Sequence, residues 1–316
     1  MPPEQTITTQ SGQGQGKPCE RFKPDQLLSL RNVLMATDFS ECSTRALEYA
    51  LGIAARHKAQ LYLFHCVDPA PYNTVTPDAV QTACEAAGRD MERLEADLRS
   101  RGLTKNVEVK LRVEAGDMAE ILPRTVTDLD LGLIIVGTHG RTGWRKLVLG
   151  SVAEIVVEQA SCPVLTVGPC ADRKRIQEFG PENILFANDP AVHSKLAESY
   201  AFSLARKYNS RLTVADVLED HSGRVRARVS QIKCLEGDWH VPELKDGSLN
   251  KEASPRWPSD LGTRSDLILR FADYFTADLI VLTAPAARRL TDRFLSSNTY
   301  QVVCGARCPV LSIRAE

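Results

Sequence analysis

Residues 32–40 read NVLMATDFS and residues 183–191 read NILFANDPA. In both stretches an apolar run closes on an Asp. The likeness continues without a gap from STRALEYALGIAARHKAQLYLFHCVD (43–68) to SKLAESYAFSLARKYNSRLTVADVLE (194–219). Farther along, LGLIIVG (131–137) answers to DLIVLT (278–283), and CPVLTV (162–167) to CPVLSI (308–313). The offset falls from 151 to 146 between the two ends, so the second copy is five residues shorter in its middle. A repeat this long is a duplicated domain rather than a solenoid unit of roughly 20–50 residues.

Each copy alternates strand and helix. Residues 31–38 form an apolar run without polar alternation, as expected of a strand buried on both faces. Residues 43–57 carry Ala46, Leu47, Ala50, Leu51 and Ala54 at helical spacing. Strands follow at 60–67, 107–113, 131–137 and 163–167, with helices at 77–101, 117–128 and 151–160. The order β-α-β-α-β-α-β-α-β implies a parallel sheet covered by helices on both faces. The second copy repeats it at 183–189, 194–208, 211–218, 264–277, 279–283, 297–306 and 309–313. Its middle, 221–262, matches poorly. A helix is predicted near 223–235, then a loop rich in Pro and charge with no third strand. Trp239 and Trp257 in this stretch are read as anchors packing the loop down, with an interaction surface as the alternative. Expected boundaries are a disordered tail at 1–28, a first domain at 29–169, a linker at 170–181 and a second domain at 182–316.

Composition fits this picture. The chain has 316 residues, long enough for two domains, with 43% hydrophobic and 25% charged residues. A net charge of −1 gives no broad basic surface, which argues against nucleic-acid and membrane partners. No apolar stretch is long enough to span a bilayer, and the tail lacks the apolar segment of a signal peptide. Nine Cys residues at irregular spacing, without a C-x-x-C, argue against a disulfide framework or a zinc ribbon. They read as small buried side chains in a reducing, cytoplasmic setting.

Open parallel sheets take ligands at the carboxyl ends of their strands, near the point where strand order reverses. The loop after the fourth strand runs from Gly137 through His139, Gly140, Arg141, Gly143, Arg145 and Lys146 to Gly150 and Ser151, where a helix begins. Glycines let backbone N–H groups approach an anion, a helix start favours negative charge, and three cations lie nearby. The alternative reading is a plain Gly-rich loop with Ser151 as N-cap and Ser151–Glu154 as a capping box.

The pattern Gly137-x2-Gly140-x9-Gly150-Ser151 resembles the nucleotide-binding motif of the universal stress proteins, G-x2-G-x9-G-(S/T). LMATDFS and HCVD are similar to their first two strand ends. The resemblance covers 31–168 strongly and 182–313 more weakly. It implies two Rossmann-like, HUP-type α/β domains, each a five-stranded parallel sheet, related by a pseudo-twofold axis. It also implies ATP in the first copy, with Mg²⁺ held through the phosphates and no dedicated metal cage. Asp38 would face the ribose or adenine, although a capping or turn role is open to it. Val67 would contact adenine, although it may equally be core. Gly137, Gly140, Gly150 and Ser151 would hold the phosphates, with Arg141 and Val152 adjacent. His139 is read as a variable loop residue.

At the 146 offset, Thr283, Ala286, Ser296 and Ser297 stand for Gly137, Gly140, Gly150 and Ser151, and Pro285 replaces His139. Cβ atoms then occupy places where backbone would meet phosphate, and Pro285 removes a donor. Asp189 keeps the Asp38 position. The second copy is expected to bind ATP poorly or not at all, with a different anion site at Ser296, Ser297, Arg288 and Arg289 as the alternative. The resemblance also implies pairing through the fifth strands. An antiparallel contact between 163–167 and 309–313 within one chain is therefore expected, with room for a homo-oligomer and an unidentified protein partner. The implied function is an ATP-binding, non-enzymatic stress-response protein with at most slow, incidental ATP hydrolysis. Two other functions compete: a nucleotide-dependent enzyme on the same fold, and a redox sensor acting through Cys. No Walker loop, SGGxDS loop or HIGH motif is present to support the enzyme.

Overall fold

A computed structural model of the chain describes residues 30–69, 77–138, 149–171, 180–188, 194–219, 225–235, 238–240, 262–284 and 297–314. The expected tail, most of the linker, the central part of the Gly-rich loop and Trp257 lie outside these residues.

The first copy contains β1 (Asn32–Ala36), α1 (Glu41–His57), β2 (Gln60–Val67), α2 (Pro77–Ser100), β3 (Val109–Ala115), α3 (Met118–Asp128), β4 (Leu133–Gly137), α4 (Ser151–Gln159) and β5 (Val164–Val167). Every expected element is there, with ends moved by a residue or two. The second copy contains β6 (Asn183–Asn188), α5 (Lys195–Tyr208), β7 (Arg211–Glu219), β8 (Val225–Leu235), β9 (Asp238–His240), α6 (Arg264–Tyr274), β10 (Leu279–Ala284), α7 (Asn298–Gly305) and β11 (Val310–Arg314).

The strands form one 11-stranded sheet in the order β3-β2-β1-β4-β5-β11-β10-β6-β7-β8-β9. Helices α1, α2 and α5 bury one face and α3, α4, α6 and α7 the other, so the fold is α/β with two apolar layers. Each layer runs through both copies. Packing of the amphipathic faces, rather than intrinsic propensity, holds helices of this length. In α1, for example, Ala46, Leu47, Ala50, Ile53 and Ala54 are all nearly inaccessible. Both α1 and α5 start on a serine N-cap (Ser40, Ser194) and stop on a left-handed residue (Lys58, Asn209) at the same place in the repeat.

The first copy is an all-parallel five-stranded sheet. The second departs from that expectation. Where a helix was predicted at 223–235, β8 runs antiparallel to β7, from Arg211 opposite Lys233 to Glu219 opposite Val225. The missing third strand exists, but it points the other way. The cause is the connection. The 24-residue α2 carries the chain back across the sheet between β2 and β3, as a parallel pair requires. Only residues 220–224 separate β7 from β8, which permits a hairpin and nothing else.

The copies join as expected, through antiparallel pairing of β5 with β11. Leu165 faces Leu311, its own equivalent in the repeat, and both are buried. His57 and Tyr208, also equivalent positions, meet at 2.6 Å from Nε2 to Oη. The pseudo-twofold axis therefore passes through both pairs. Pairing the two fifth strands removes an apolar edge from each domain.

Candidate functional site

In the first domain the chain runs from β1 outward through β2 to β3, then returns to the other side of β1 for β4 and β5. Strand order reverses between β1 and β4, and the carboxyl ends of these strands frame the crevice where such sheets take ligands. Asp38 follows β1, Val67 closes β2, Gly137 closes β4, and Gly150, Ser151 and Val152 open α4. The structure thus brings these six to the same end of the sheet. Gly140 and Arg141 lie outside the described residues, as do His139, Arg145 and Lys146.

The loop after β1 is tightly bonded. The Ser40 amide donates to Asp38 Oδ1 at 3.0 Å, and Ser40 itself caps α1 by accepting from the Ser43 amide at 3.2 Å. Asp38 is therefore a turn residue and not the N-cap. Burial pushes its carboxyl upward, but hydrogen bonds from Ser40 and Ser43 outweigh this and hold it below its usual range. It is an anion at neutral pH.

Two neighbours escaped the sequence reading. Phe39 sits at φ 63°, a left-handed conformation rare for an aromatic residue, and its ring lies 4.8 Å from that of His65. His65 Nδ1 is 2.7 Å from the Thr37 carbonyl oxygen, which can only accept, so Nδ1 carries the proton. The only signal in the sequence was a polar His inside the apolar run QLYLFHCV. In the second domain the matching positions hold a different bond, with Asn188 Nδ2 donating to Asp216 Oδ1 at 2.7 Å.

Val67 is buried and its carbonyl accepts from the Gly116 amide at 3.1 Å, yet it belongs to neither apolar layer among the described residues. Gly137 packs against the start of α1. A Cβ there would stand 3.0 Å from the backbone of Cys42 and Ser43. In the second domain Thr283 stands at this position, and α5 starts three residues later in the repeat than α1. The Thr283 hydroxyl is buried with no hydrogen-bond partner among the described residues.

The two final helices start differently. The N-cap of α4 is Gly150, with φ −64° and ψ 146°, and no side chain among the described residues caps this end. Ser151 is the first helical residue, so the expected capping box with Glu154 is not formed: the Glu154 amide bonds the Gly150 carbonyl at 2.9 Å instead. Without a side-chain cap, the first-turn N–H groups point out along the axis from the carboxyl end of β4. In α7 the equivalent of Ser151, Ser297, is itself the N-cap and accepts from the Tyr300 amide at 3.1 Å. The segment leading into α4 is held on both sides. The Gly150 amide donates to the Thr138 carbonyl at 2.9 Å, and the Leu149 amide donates to Tyr300 Oη of the second domain at 3.1 Å.

The described cysteines are free. Burial pushes the thiols of Cys162 and Cys308 up to about 12, and burial with nearby carboxylates pushes Cys66 up to about 11. Such thiols are poor nucleophiles at neutral pH, which counts against a redox sensor built on them. Among the described residues no group of three or more His, Cys, Asp or Glu could hold a metal ion, and no helix is long and apolar enough to cross a membrane.

Comparison with known proteins agrees with the geometry. A universal stress protein of Methanocaldococcus jannaschii is 28% identical over 142 residues, which is 43% of this chain and 81% of that protein. A Staphylococcus epidermidis protein described by the same family name is 30% identical over 144 residues, covering 45% and 86%. The crystal structure of a universal stress protein from Archaeoglobus fulgidus superposes with a TM-score of 0.62 over 90% of this chain and 98% of that one; at 17% identity it shows the shared fold. The model of the universal stress protein family matches residues 29–168 and again residues 181–314, so the chain belongs to that family and carries two of its domains in tandem.

Proposed function

We propose that the first domain, residues 29–169, binds ATP, and that the second, residues 182–316, separated from it by the linker at 170–181, does not. Gly137 and Gly140 carry the backbone to the phosphates, Gly150 brings the chain in close as the N-cap of α4, and the amides at Ser151 and Val152 receive them. Arg141 adds charge, Asp38 faces the ribose or adenine, and Val67 meets the adenine ring. Mg²⁺ arrives with the phosphates.

One observation carries the reading. Among the described residues the α4 start has no side-chain cap, and it lies beside the strand-order reversal, whereas α7 closes its own start with Ser297. A helix start without an internal acceptor suits an anion. Nucleotide occupancy then sets contacts with a protein partner in a stress response, without catalysis, in the cytoplasm, where free cysteines stay reduced.

Equilibrium binding of ATP to the full chain tests the proposal. The wild type is expected to bind, Gly140→Asp to abolish binding by placing a carboxylate against phosphate, and Gly150→Ala to weaken it. A wild type that does not bind ATP, or variants that bind as well as it does, would contradict the proposal.

A further inference from the structure

We propose that Tyr300, on the second domain, is a positioning residue for the nucleotide site of the first. The inference rests on the ATP-binding reading of the first domain and gives the second domain a role in it.

The Leu149 amide donates to Tyr300 Oη at 3.1 Å across the domain interface. Leu149 is 3% exposed and directly precedes Gly150, the N-cap of α4. The next amide along, that of Gly150, is held at 2.9 Å by the Thr138 carbonyl of the first domain. Two consecutive N–H groups are thus fixed by opposite domains, and together they set the direction from which the chain enters α4. The amides that follow are the ones a phosphate would meet. Their aim depends on this entry, and a small displacement of preorganised donors weakens an ionic hydrogen bond.

Tyr300 is itself well held. Its amide donates to Ser297 Oγ at 3.1 Å, and its ring packs in the same apolar layer as Leu149, Ala153 and Val303. Burial also raises the phenol above its usual range, so it stays neutral and accepts from an amide as an ordinary hydroxyl. Ser297 occupies the position that the first domain gives to Ser151. The residue that closes the second domain's helix thereby anchors the tyrosine that supports the first domain's open one. The second domain lacks the glycine pattern but supplies the phenol oxygen that holds Leu149.

The test is calorimetric titration of the full chain, wild type and Tyr300→Phe, with ATP and separately with adenosine. The Phe variant keeps the ring and deletes only the acceptor. ATP affinity is expected to fall roughly three- to tenfold, as for loss of one buried hydrogen bond, while adenosine affinity is unchanged. Amide exchange at Leu149 is expected to speed up in the same variant. Wild-type ATP affinity in the variant, or an equal loss for ATP and adenosine, overturns the inference and leaves the ATP-binding reading standing. Unchanged exchange at Leu149 overturns it too. Absence of ATP binding by the wild type defeats that reading first, and this inference with it.

Discussion

The two domains agree where they touch and differ where their strands end. At the junction, Leu165 faces Leu311 and His57 faces Tyr208, each residue meeting its own counterpart in the repeat. At the carboxyl ends of the strands, Gly137 is answered by Thr283, the Thr37–His65 bond by one between Asn188 and Asp216, and an uncapped α4 by a self-capped α7. At the outer edge a crossover helix and a parallel strand are answered by a hairpin. Equivalent positions of the repeat thus meet where the two halves join. The changes gather at the end of the sheet where a ligand would sit, and at the edge away from the junction.

Substitutions at paired positions can break or sharpen this contrast. The largest effect is expected at the shared junction. A buried, unpaired carboxylate in either Leu165→Asp or Leu311→Asp should cost about 4 kcal/mol or more in urea denaturation. The two variants should cost alike, since the positions are equivalent; a large cost for one and none for the other would refute the pseudo-twofold account.

A smaller effect separates the strand ends. Gly137→Thr forces side-chain atoms into the backbone of Cys42 and Ser43 and should destabilise by about 1–3 kcal/mol. Thr283→Val, which exchanges a buried hydroxyl without a described partner for a methyl group, should be neutral or mildly stabilising. The smallest effect belongs to the helix starts. Ser297→Ala removes a working cap and should cost about 1 kcal/mol, whereas Ser151→Ala removes none and should leave stability unchanged. Equal costs for these two serines would erase the distinction on which the functional reading stands.

Much of this was legible in the sequence. Apolar runs such as 31–38 and 131–137, alternating with helical spacing, lead to the α/β layers, and the β5–β11 pairing came from the family resemblance applied to the repeat. The hairpin was legible too, in the strict alternation Val225-Arg-Ala-Arg-Val229 after a Ser-Gly pair, where a helix near 223–235 was read instead. Ser151–Glu154 has the spacing of a capping box and forms none, because the helix starts one residue earlier than that pattern requires. Phe39 against His65 and Tyr300 against Leu149 depend on how distant strands and helices meet, so spacing along the chain carries no trace of them. Gly140 and Arg141 lie outside the described residues.

The stoichiometry of ATP binding tests the central claim most directly. Titration of the full chain should end at one ATP per chain, and Gly140→Asp in the first domain should remove that site. Two ATP per chain, or one that survives Gly140→Asp, would contradict the division of the molecule into an open domain and a closed one.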